Sequence, residues 1–206
     1  MQHFDVSRCQ TSSMNDSELI SQILNGNMNA FTFLVNRYQK LVVHITGRLI
    51  QRHDELEDVC QEVFLKVYQN LGKYRNECKL STWIATIAYN TSINYLRKFK
   101  KGDEVNPEDS AVLRNLTDYR SENYEQTDLH RYLREQIEFL PVQYRTVITL
   151  FHLEEFSYQE IEQITGMPEG TIKSYLFRAK ALLREKLKFV VDEDSLKLVK
   201  EISNEK

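Results

Sequence analysis

Apolar residues recur at steps of three and four along two separate stretches of the chain, a spacing that predicts amphipathic α-helices. The helices predicted in the first stretch are Asp16 to Leu24, Asn29 to Ile50, Asp54 to Leu71, and a longer helix that runs to about Lys100. Gly72 is placed to end the third of these helices. The loop Lys73 to Leu80 follows, and Ser81 or Thr82 is expected to cap the longer helix.

The second stretch begins near Leu129. Helices are predicted from Leu129 to Leu140, where Pro141 interrupts the chain, and from Val142 to His152. Between the two stretches, residues 103–128 contain Asn106-Pro107 and scattered acids and have no sustained apolar face, which is typical of a linker. A long structureless segment inside one compact domain is unusual, so we expect two domains joined by a tether.

The composition favours an all-α protein. Six Gly and three Pro are few for 206 residues, and 41% hydrophobic residues suffice to build packed cores. We expect two small helical domains joined by a flexible linker. The predicted division is a disordered N-terminus (1–13), a first domain (14–102), the acidic linker (103–128), a second domain (129–190) and a C-terminal tail (191–206).

The segment from Ser157 to Arg184 has the spacing of a helix-turn-helix. Ser157 and Glu160 form the sequence signature of a capping box, in which a hydroxyl and a carboxylate each satisfy a backbone donor at a helix start. Thr165-Gly166-Met167 is predicted to make the tight turn. Pro168 suits the first turn of the next helix, where its missing N–H costs nothing.

The second helix of this unit separates an apolar stripe from a basic face. The predicted buried stripe is Ile172, Leu176, Ala179, Leu183 and Leu187. The residues predicted to contact DNA are Thr171, Lys173, Ser174, Phe177, Arg178, Lys180 and Arg184. The alternative is an ordinary solvated face of a bundle helix. The outward Phe177 favours DNA, because a bundle has little reason to expose an aromatic ring.

Charge and composition exclude several other classes. The net charge of −3 conceals local differences, since residues 14–100 hold 11 Lys and Arg against 8 Asp and Glu, whereas residues 101–128 hold 3 against 8. Cys9, Cys60 and Cys78 lack disulfide or zinc spacing. No apolar run approaches the roughly 20 residues of a membrane span, and no signal-peptide core is present. We expect a soluble cytoplasmic protein without a metal, a cofactor, a catalytic site or a small-molecule substrate.

Two blocks of the first domain carry a family resemblance. EDVCQEVFLKVY (57–68) and STWIATIAYNTSINYLRK (81–98) resemble region 2 of sigma factors of the extracytoplasmic-function (ECF, group IV) class of the sigma-70 family. FSYQEIEQITGMPEGTIKSYLFRAKALLREKL (156–187) stands in the place of region 4, and the resemblance extends from about 14 to 190. It implies two helical domains, sigma-2 and sigma-4, and a protein that directs bacterial RNA polymerase to promoters. Sigma-4 is then expected to bind the −35 element as duplex.

The predicted helix that begins near Thr82 carries the candidate −10 residues. Trp83, Asn90, Asn94 and Arg97 fall within one narrow stripe, and a ring, amides and a cation are the groups that hold unstacked bases and single-strand backbone. A buried core ring is the alternative for Trp83, and a local hydrogen bonder for Asn90. The resemblance places the surface that binds and melts −10 DNA on this helix, including Lys98, and on the loop before it.

The helix from Asp54 to Leu71 is the candidate polymerase contact. The resemblance implies that Asp58, Gln61, Glu62 and Leu65 dock on the clamp helices of the β′ subunit of core RNA polymerase. It also implies contact with the β flap and regulation by an anti-sigma factor. A solvated acidic face is the alternative. Tyr175 and Tyr89 depart from many relatives, so the −35 preference cannot be transferred from another member.

Three rival classes compete with this interpretation. A stand-alone helix-turn-helix transcriptional regulator would carry a dimerisation or ligand domain in place of the block from Glu57 to Lys98. A nuclease would require a cluster of carboxylates or histidines with metal-site spacing, which the sequence does not show. An anti-sigma or adaptor protein would not need Phe177 and Arg178.

Overall fold

The computed structural model describes residues 15–50, 52–99 and 128–187, and within these ranges the chain is helical without a strand. The helices are α1 (Asp16–Leu24), α2 (Met28–Gly47), α3 (His53–Asn70), α4 (Leu80–Phe99), α5 (Asp128–Glu138), α6 (Val142–Ile148), α7 (Tyr158–Thr165) and α8 (Glu169–Leu187). The all-α prediction is thereby confirmed. None of the described helices is both long enough and apolar enough to cross a membrane. The predicted N-terminus (1–13), nearly all of the predicted linker and the tail (191–206) lie outside the described residues.

The first four helices pack around a common apolar core, with α2 lying against both α3 and α4. The core residues they contribute include Leu19 and Ile23 from α1, Leu34, Val42 and Ile45 from α2, Val63 and Val67 from α3, and Ile84 and Ala88 from α4. Asparagine side chains start the first two helices: Asn15 accepts from the N–H of Ser17, and Asn27 accepts from the N–H of Asn29. These helices are those that the apolar spacing predicts, with bounds that differ by a few residues.

The predicted end of α3, Leu71, lies one residue beyond the observed end, Asn70, whereas the predicted caps of α4 are wrong. Gly72 does not end α3 in the left-handed conformation; instead a 3-10 turn, Leu71–Lys73, tightens the last turn. Ser81 and Thr82 do not cap α4, because the helix starts at Leu80, whose side chain is only 1% exposed. Burial of this leucine fixes the start of the helix ahead of both hydroxyls.

The second group of helices, α5 to α8, contains a widened turn. The sequence predicts one helix from Val142 to His152, but α6 ends at Ile148 and a π-helical segment, Thr149–Leu153, continues it. The N–H of Glu154 donates to the carbonyl of Thr149 (3.1 Å), which closes the wide turn. Glu154 is thereby placed at the end of this segment.

Arg145 of α6 is an interior cation of the second group. It is 1% exposed, and its guanidinium donates to the carbonyl of Glu138 at 2.7 Å and lies 3.5 Å from the carboxylate of the same residue. Burial lowers the pKa of Arg145, and Glu138 supplies the compensating charge. This pair ties the end of α5 to α6.

The two groups of helices touch each other. α4 packs against α7, and α2 meets the π-helical segment. Buried residues of both groups form one continuous cluster that includes Leu80 and Ile84 on one side and Ile161 and Ile164 on the other. The contact thus involves the first helix of the predicted helix-turn-helix and the start of the predicted −10 helix.

Candidate nucleic-acid interface

The helix-turn-helix is formed by α7 and α8. The Ser157 hydroxyl accepts from the N–H of Glu160 at 3.3 Å, and the Glu160 carboxylate accepts from the N–H of Ser157 at 2.9 Å, so the predicted capping box is confirmed. Gly166 ends α7 with φ of 71°, a conformation that favours glycine, and its N–H donates to the carbonyl of Glu162. Pro168 is predicted to lie in the first turn of α8, but the helix begins one residue later, at Glu169. The carbonyl of Pro168 accepts from the N–H of Ile172.

The apolar stripe of α8 holds the helix in a fixed rotation. All of its members are buried: Ile172, Leu176, Ala179, Leu183 and Leu187. Helix α6 packs against this side, so the opposite face of α8 is turned outward. The stripe predicted from the sequence is confirmed in full.

The outer face of α8 is cationic around one aromatic ring. Lys173, Phe177, Arg178 and Arg184 are exposed, whereas Thr171, Ser174 and Lys180 are half-buried. Phe177 is 76% exposed, more than any other large hydrophobic residue that the structure describes. Exposed cations next to a protruding ring are the groups that contact phosphates and base edges in a major groove.

Lys173 already has an acidic partner in this face. Its ammonium lies 2.5 Å from the carboxylate of Glu169, one turn earlier, and 5.2 Å from the centre of the Tyr158 ring. The hydrogen bond to Glu169 raises the pKa of Lys173, so the side chain is a cation at neutral pH. A DNA phosphate would have to replace Glu169 as its partner.

Tyr175 is a packing residue. Its half-buried ring meets that of Tyr144 edge-on, with 5.2 Å between the ring centres. The tyrosine at this position therefore joins α8 to α6.

On α4 the candidate residues divide into an open group and a covered one. Asn90, Asn94, Arg97 and Lys98 are exposed. Trp83 is half-buried, and its ring lies tilted against Tyr74 of the preceding loop, with 5.4 Å between the centres. The ring packs against the core and keeps part of its surface exposed, so its role as a platform for an unstacked base stays a prediction.

A cleft of about 500 Å³ adjoins the open group, and it contains residues that the sequence analysis missed. Lys66 of α3 lies in it, 2.6 Å from the carboxylate of Glu62 and 3.3 Å from the hydroxyl of Thr91. Asn94 and Arg97 form the other wall. The i to i+4 spacing of Glu62 and Lys66 predicts an ion pair on α3. It does not predict that α3 and α4 together form this cleft.

The candidate polymerase residues lie on the outside of α3. Asp58 and Gln61 are exposed, Leu65 is 54% exposed, and Glu62 is half-buried beside Lys66. An apolar cleft of about 450 Å³ runs beside them between α2 and α3. Its apolar lining consists of Phe31, Val35, Val43, Leu56, Cys60, Phe64 and Leu65. Burial raises the pKa of Cys60 to about 11, so this thiol contributes an apolar surface at neutral pH.

The comparisons with known proteins agree with this arrangement. The family model of sigma-70 region 2 matches residues 34–101, and that of sigma-70 region 4 matches residues 130–183. The ECF RNA polymerase sigma-E factor of Haemophilus influenzae is 34% identical over 182 residues, which covers 84% of this chain and 96% of that protein. The ECF RNA polymerase sigma factor SigW of Bacillus subtilis is 32% identical over 178 residues, covering 82% of this chain and 95% of that protein.

Solved structures show the same fold. The sigma factor RpoE of Bartonella quintana, crystallised with the anti-sigma factor NepR, aligns with a TM-score of 0.64 at 25% identity and covers 78% of this chain and 98% of that chain. CnrH, in complex with the cytosolic domain of CnrY, aligns with a TM-score of 0.58 at 19% identity over 84% of this chain and 97% of that chain.

Two sigma-70 regions in this order define a transcription initiation factor that binds DNA. The chain belongs to the sigma-70 family of RNA polymerase sigma factors, in its extracytoplasmic-function group. It therefore directs bacterial RNA polymerase to promoters, as the resemblance implies. Its partners are core polymerase and promoter DNA. The stand-alone regulator is not favoured, since region 2 is present in addition to the helix-turn-helix.

Proposed function

We propose that the outer face of α8 reads the −35 element as duplex DNA. The observation that carries this proposal is the exposure of Phe177 and Arg178 on a helix whose opposite side is fully buried. The fixed rotation presents Lys173, Ser174 and Phe177 toward one groove, while Lys180 and Arg184 lie further along the helix, where the phosphate backbone would pass. Thr171 lies at the N-terminal end of the same face.

The exposed side of α4 recognises and opens the −10 element. Asn90, Asn94 and Arg97 supply amide and guanidinium groups that bind base edges and backbone of a single strand. The open side of Trp83 offers a ring on which an unstacked base can lie. Lys98 adds charge where the strand leaves the helix. Contacts between these side chains and a base held outside the stack offset the free energy lost when the base unstacks, about a few kcal/mol.

The outside of α3 binds core polymerase. Asp58, Gln61 and Glu62 form the polar part of this surface, and Leu65 connects it to the apolar cleft beside α2. A cleft with an apolar floor and a polar rim suits an amphipathic helix, which is the form of the β′ clamp helices.

The turn between α5 and α6 is a candidate for the β flap contact. Phe139 and Val142, on either side of Pro141, are 64% and 38% exposed. These two side chains would supply the apolar surface that the β flap covers. The Lys186 ammonium lies 5.1 Å from the centre of the Phe139 ring.

An anti-sigma factor is the expected regulator, since the Bartonella quintana relative was crystallised with one. The protein acts in the cytoplasm, where its polymerase and DNA partners reside. It is a binding factor, as its two sigma-70 regions indicate. Initiation chemistry belongs to the polymerase.

Run-off transcription tests the proposal. Core polymerase lacking sigma is mixed with this protein and genomic DNA fragments, and transcript 5′ ends are mapped. Initiation at a defined set of sites that share −35 and −10 sequences is expected. If no specific initiation appears while the protein alone binds palindromic duplex, the chain acts as a stand-alone regulator instead.

A further inference from the structure

Glu169 is an acidic residue at the N-terminal end of α8. It is the first residue of the helix, and the N-terminal residues of a recognition helix are the ones that reach base edges. Its carboxylate lies 2.5 Å from the Lys173 ammonium, and both side chains are partly open to solvent. The face assigned to −35 DNA therefore begins with an anion, which the phosphates of DNA would repel.

The ammonium of Lys173 is held from two sides. Glu169 binds it from one turn earlier on α8, and the ring of Tyr158, at the start of α7, has its centre 5.2 Å away. The Tyr158 ring is in turn stacked on Phe151, with 5.0 Å between the ring centres and 21° between the planes. A lysine on an open helix face has a flexible four-carbon stem. Partners on two different helices fix its ammonium beside the carboxylate.

Glu169 and Lys173 together present a hydrogen-bond acceptor beside a donor. A C·G base pair presents the complement in the major groove, where the donor N4 of cytosine lies beside the acceptors O6 and N7 of guanine. In an A·T pair the donor N6 of adenine is flanked by the acceptor N7, which repels a carboxylate, and the thymine acceptor O4 is flanked by a methyl group. The C·G pair fits best, because an ammonium has three N–H groups and can donate to both guanine acceptors.

We propose that Glu169 and Lys173 read one C·G base pair of the −35 element as a unit, with cytosine facing Glu169 and guanine facing Lys173. The inference rests on the proposed assignment of the −35 surface to α8. Glu169 acts chiefly against other sequences, because opposite guanine or thymine its carboxylate meets another acceptor and lacks a donor. A phosphate would have to displace Glu169 from Lys173, whereas a C·G pair binds both side chains without separating them.

A promoter library tests the role of Glu169. A promoter mapped by run-off transcription is randomised through its −35 element and mixed with holoenzyme containing the full-length wild type or a variant, and the bound fragments are sequenced. Glu169→Gln is the test variant, because a glutamine amide pairs with N6 and N7 of adenine. Glu185→Gln is the matched control, since it removes the same charge from an exposed position near the other end of α8. Circular dichroism establishes that each variant retains its helices.

We expect the wild type to prefer cytosine at one position of the library by about five- to tenfold. In Glu169→Gln the preference at this position should change from cytosine to adenine, while the other positions keep their preferences. Glu169→Ala, which has neither a carboxylate nor an amide, should lose the preference there without acquiring another. Glu185→Gln should match the wild type at every position.

An unchanged cytosine preference in Glu169→Gln and Glu169→Ala would overturn the proposal and leave an ordinary ion pair within α8. So would a loss of preference at every position, or the same change in Glu185→Gln, since either would assign the effect to folding or to overall charge. If the wild type retains its −35 preferences in such a result, only this inference fails and the proposed function stands. A wild-type profile without any −35 preference would overturn the proposed function as well.

Discussion

Phe177 and Arg178 occupy adjacent positions on α8, and both point away from a side that is sealed by Leu176 and Ala179. An aromatic ring left in water forgoes about 1.5–3 kcal/mol of burial free energy. A ring at 76% exposure gains little of this free energy within the protein, and we propose that DNA covers it. In a major groove such a ring meets thymine methyl groups, while an arginine meets guanine acceptors.

Arg178→Ala should weaken binding of the holoenzyme to its −35 element by about 1–3 kcal/mol and relax the preference at one base pair. The reason is the loss of hydrogen bonds to a base edge. Electrophoretic shift or anisotropy on a set of single-base promoter variants measures both effects. Arg184→Ala is the control, because a phosphate contact further along the helix should weaken all sequences alike. A uniform loss in Arg178→Ala would place this residue on the backbone instead.

At the scale of elements, the sequence pattern predicts helix faces better than helix ends. The stripe of α8 is confirmed because five buried positions at steps of three and four fix the rotation of a helix. The start of α4 is mispredicted, since burial of Leu80 outweighs the local preference of Ser81 and Thr82 for a cap. Such burial depends on contacts from distant helices, which local sequence does not contain.

The same limit explains what the sequence analysis missed at the candidate site. Lys66 and Thr91 meet because α3 packs against α4, and Glu160 reaches Lys79 because α7 packs against α4. Each pair is brought together by tertiary packing across many residues. The exposed members of the proposed −10 face, Asn90 in particular, could be predicted from helical spacing alone.

Asn90→Ala should impair opening of duplex promoters by about tenfold, because an amide that holds a flipped base is lost. A template with a premelted −10 bubble should restore most of the activity. Permanganate reactivity of −10 thymines measures the opening. Gln69→Ala removes an exposed amide from α3 and should have no effect on either template. Equal defects of Asn90→Ala on both templates would indicate a role in folding.

The carboxylate of Glu160 makes the stability of the protein depend on pH. Burial alone would raise its pKa, but hydrogen bonds from Ser157 and the charge of Lys79 outweigh burial and lower the pKa to about 2. A lowered pKa contributes stability that is fully present above the unfolded value, about 4.3, and is lost as the pH falls toward 2. We expect Glu160→Gln to be less stable than wild type by on the order of 1–2 kcal/mol at pH 7.

This difference should shrink between about pH 4.3 and pH 2, where the wild-type carboxylate takes up its proton. Urea unfolding at a series of pH values measures it. Glu162→Gln, an exposed acid on the same helix, is the control and should show a much smaller change. A difference between Glu160→Gln and wild type that is constant with pH would assign the effect to packing.

At the scale of the whole molecule, a net charge of −3 is compatible with promoter binding, because the charge is unevenly distributed over the protein surface. The cations that we propose to meet DNA are concentrated on the outer face of α8 and the exposed end of α4, where they neutralise phosphates locally. Some acids that would repel DNA form ion pairs with basic side chains of the protein itself, as Glu138 and Glu160 do.

The central claim is that α8 reads −35 duplex and α4 reads −10 DNA as separate functions of one chain. Its most direct test is run-off transcription by holoenzymes carrying wild-type protein, Arg178→Ala or Asn90→Ala on a promoter that is intact or altered in one element. The account predicts that the Arg178→Ala holoenzyme loses sensitivity to −35 changes alone, and the Asn90→Ala holoenzyme to −10 changes alone. Loss of sensitivity to the opposite element, or to both elements in each variant, would contradict it.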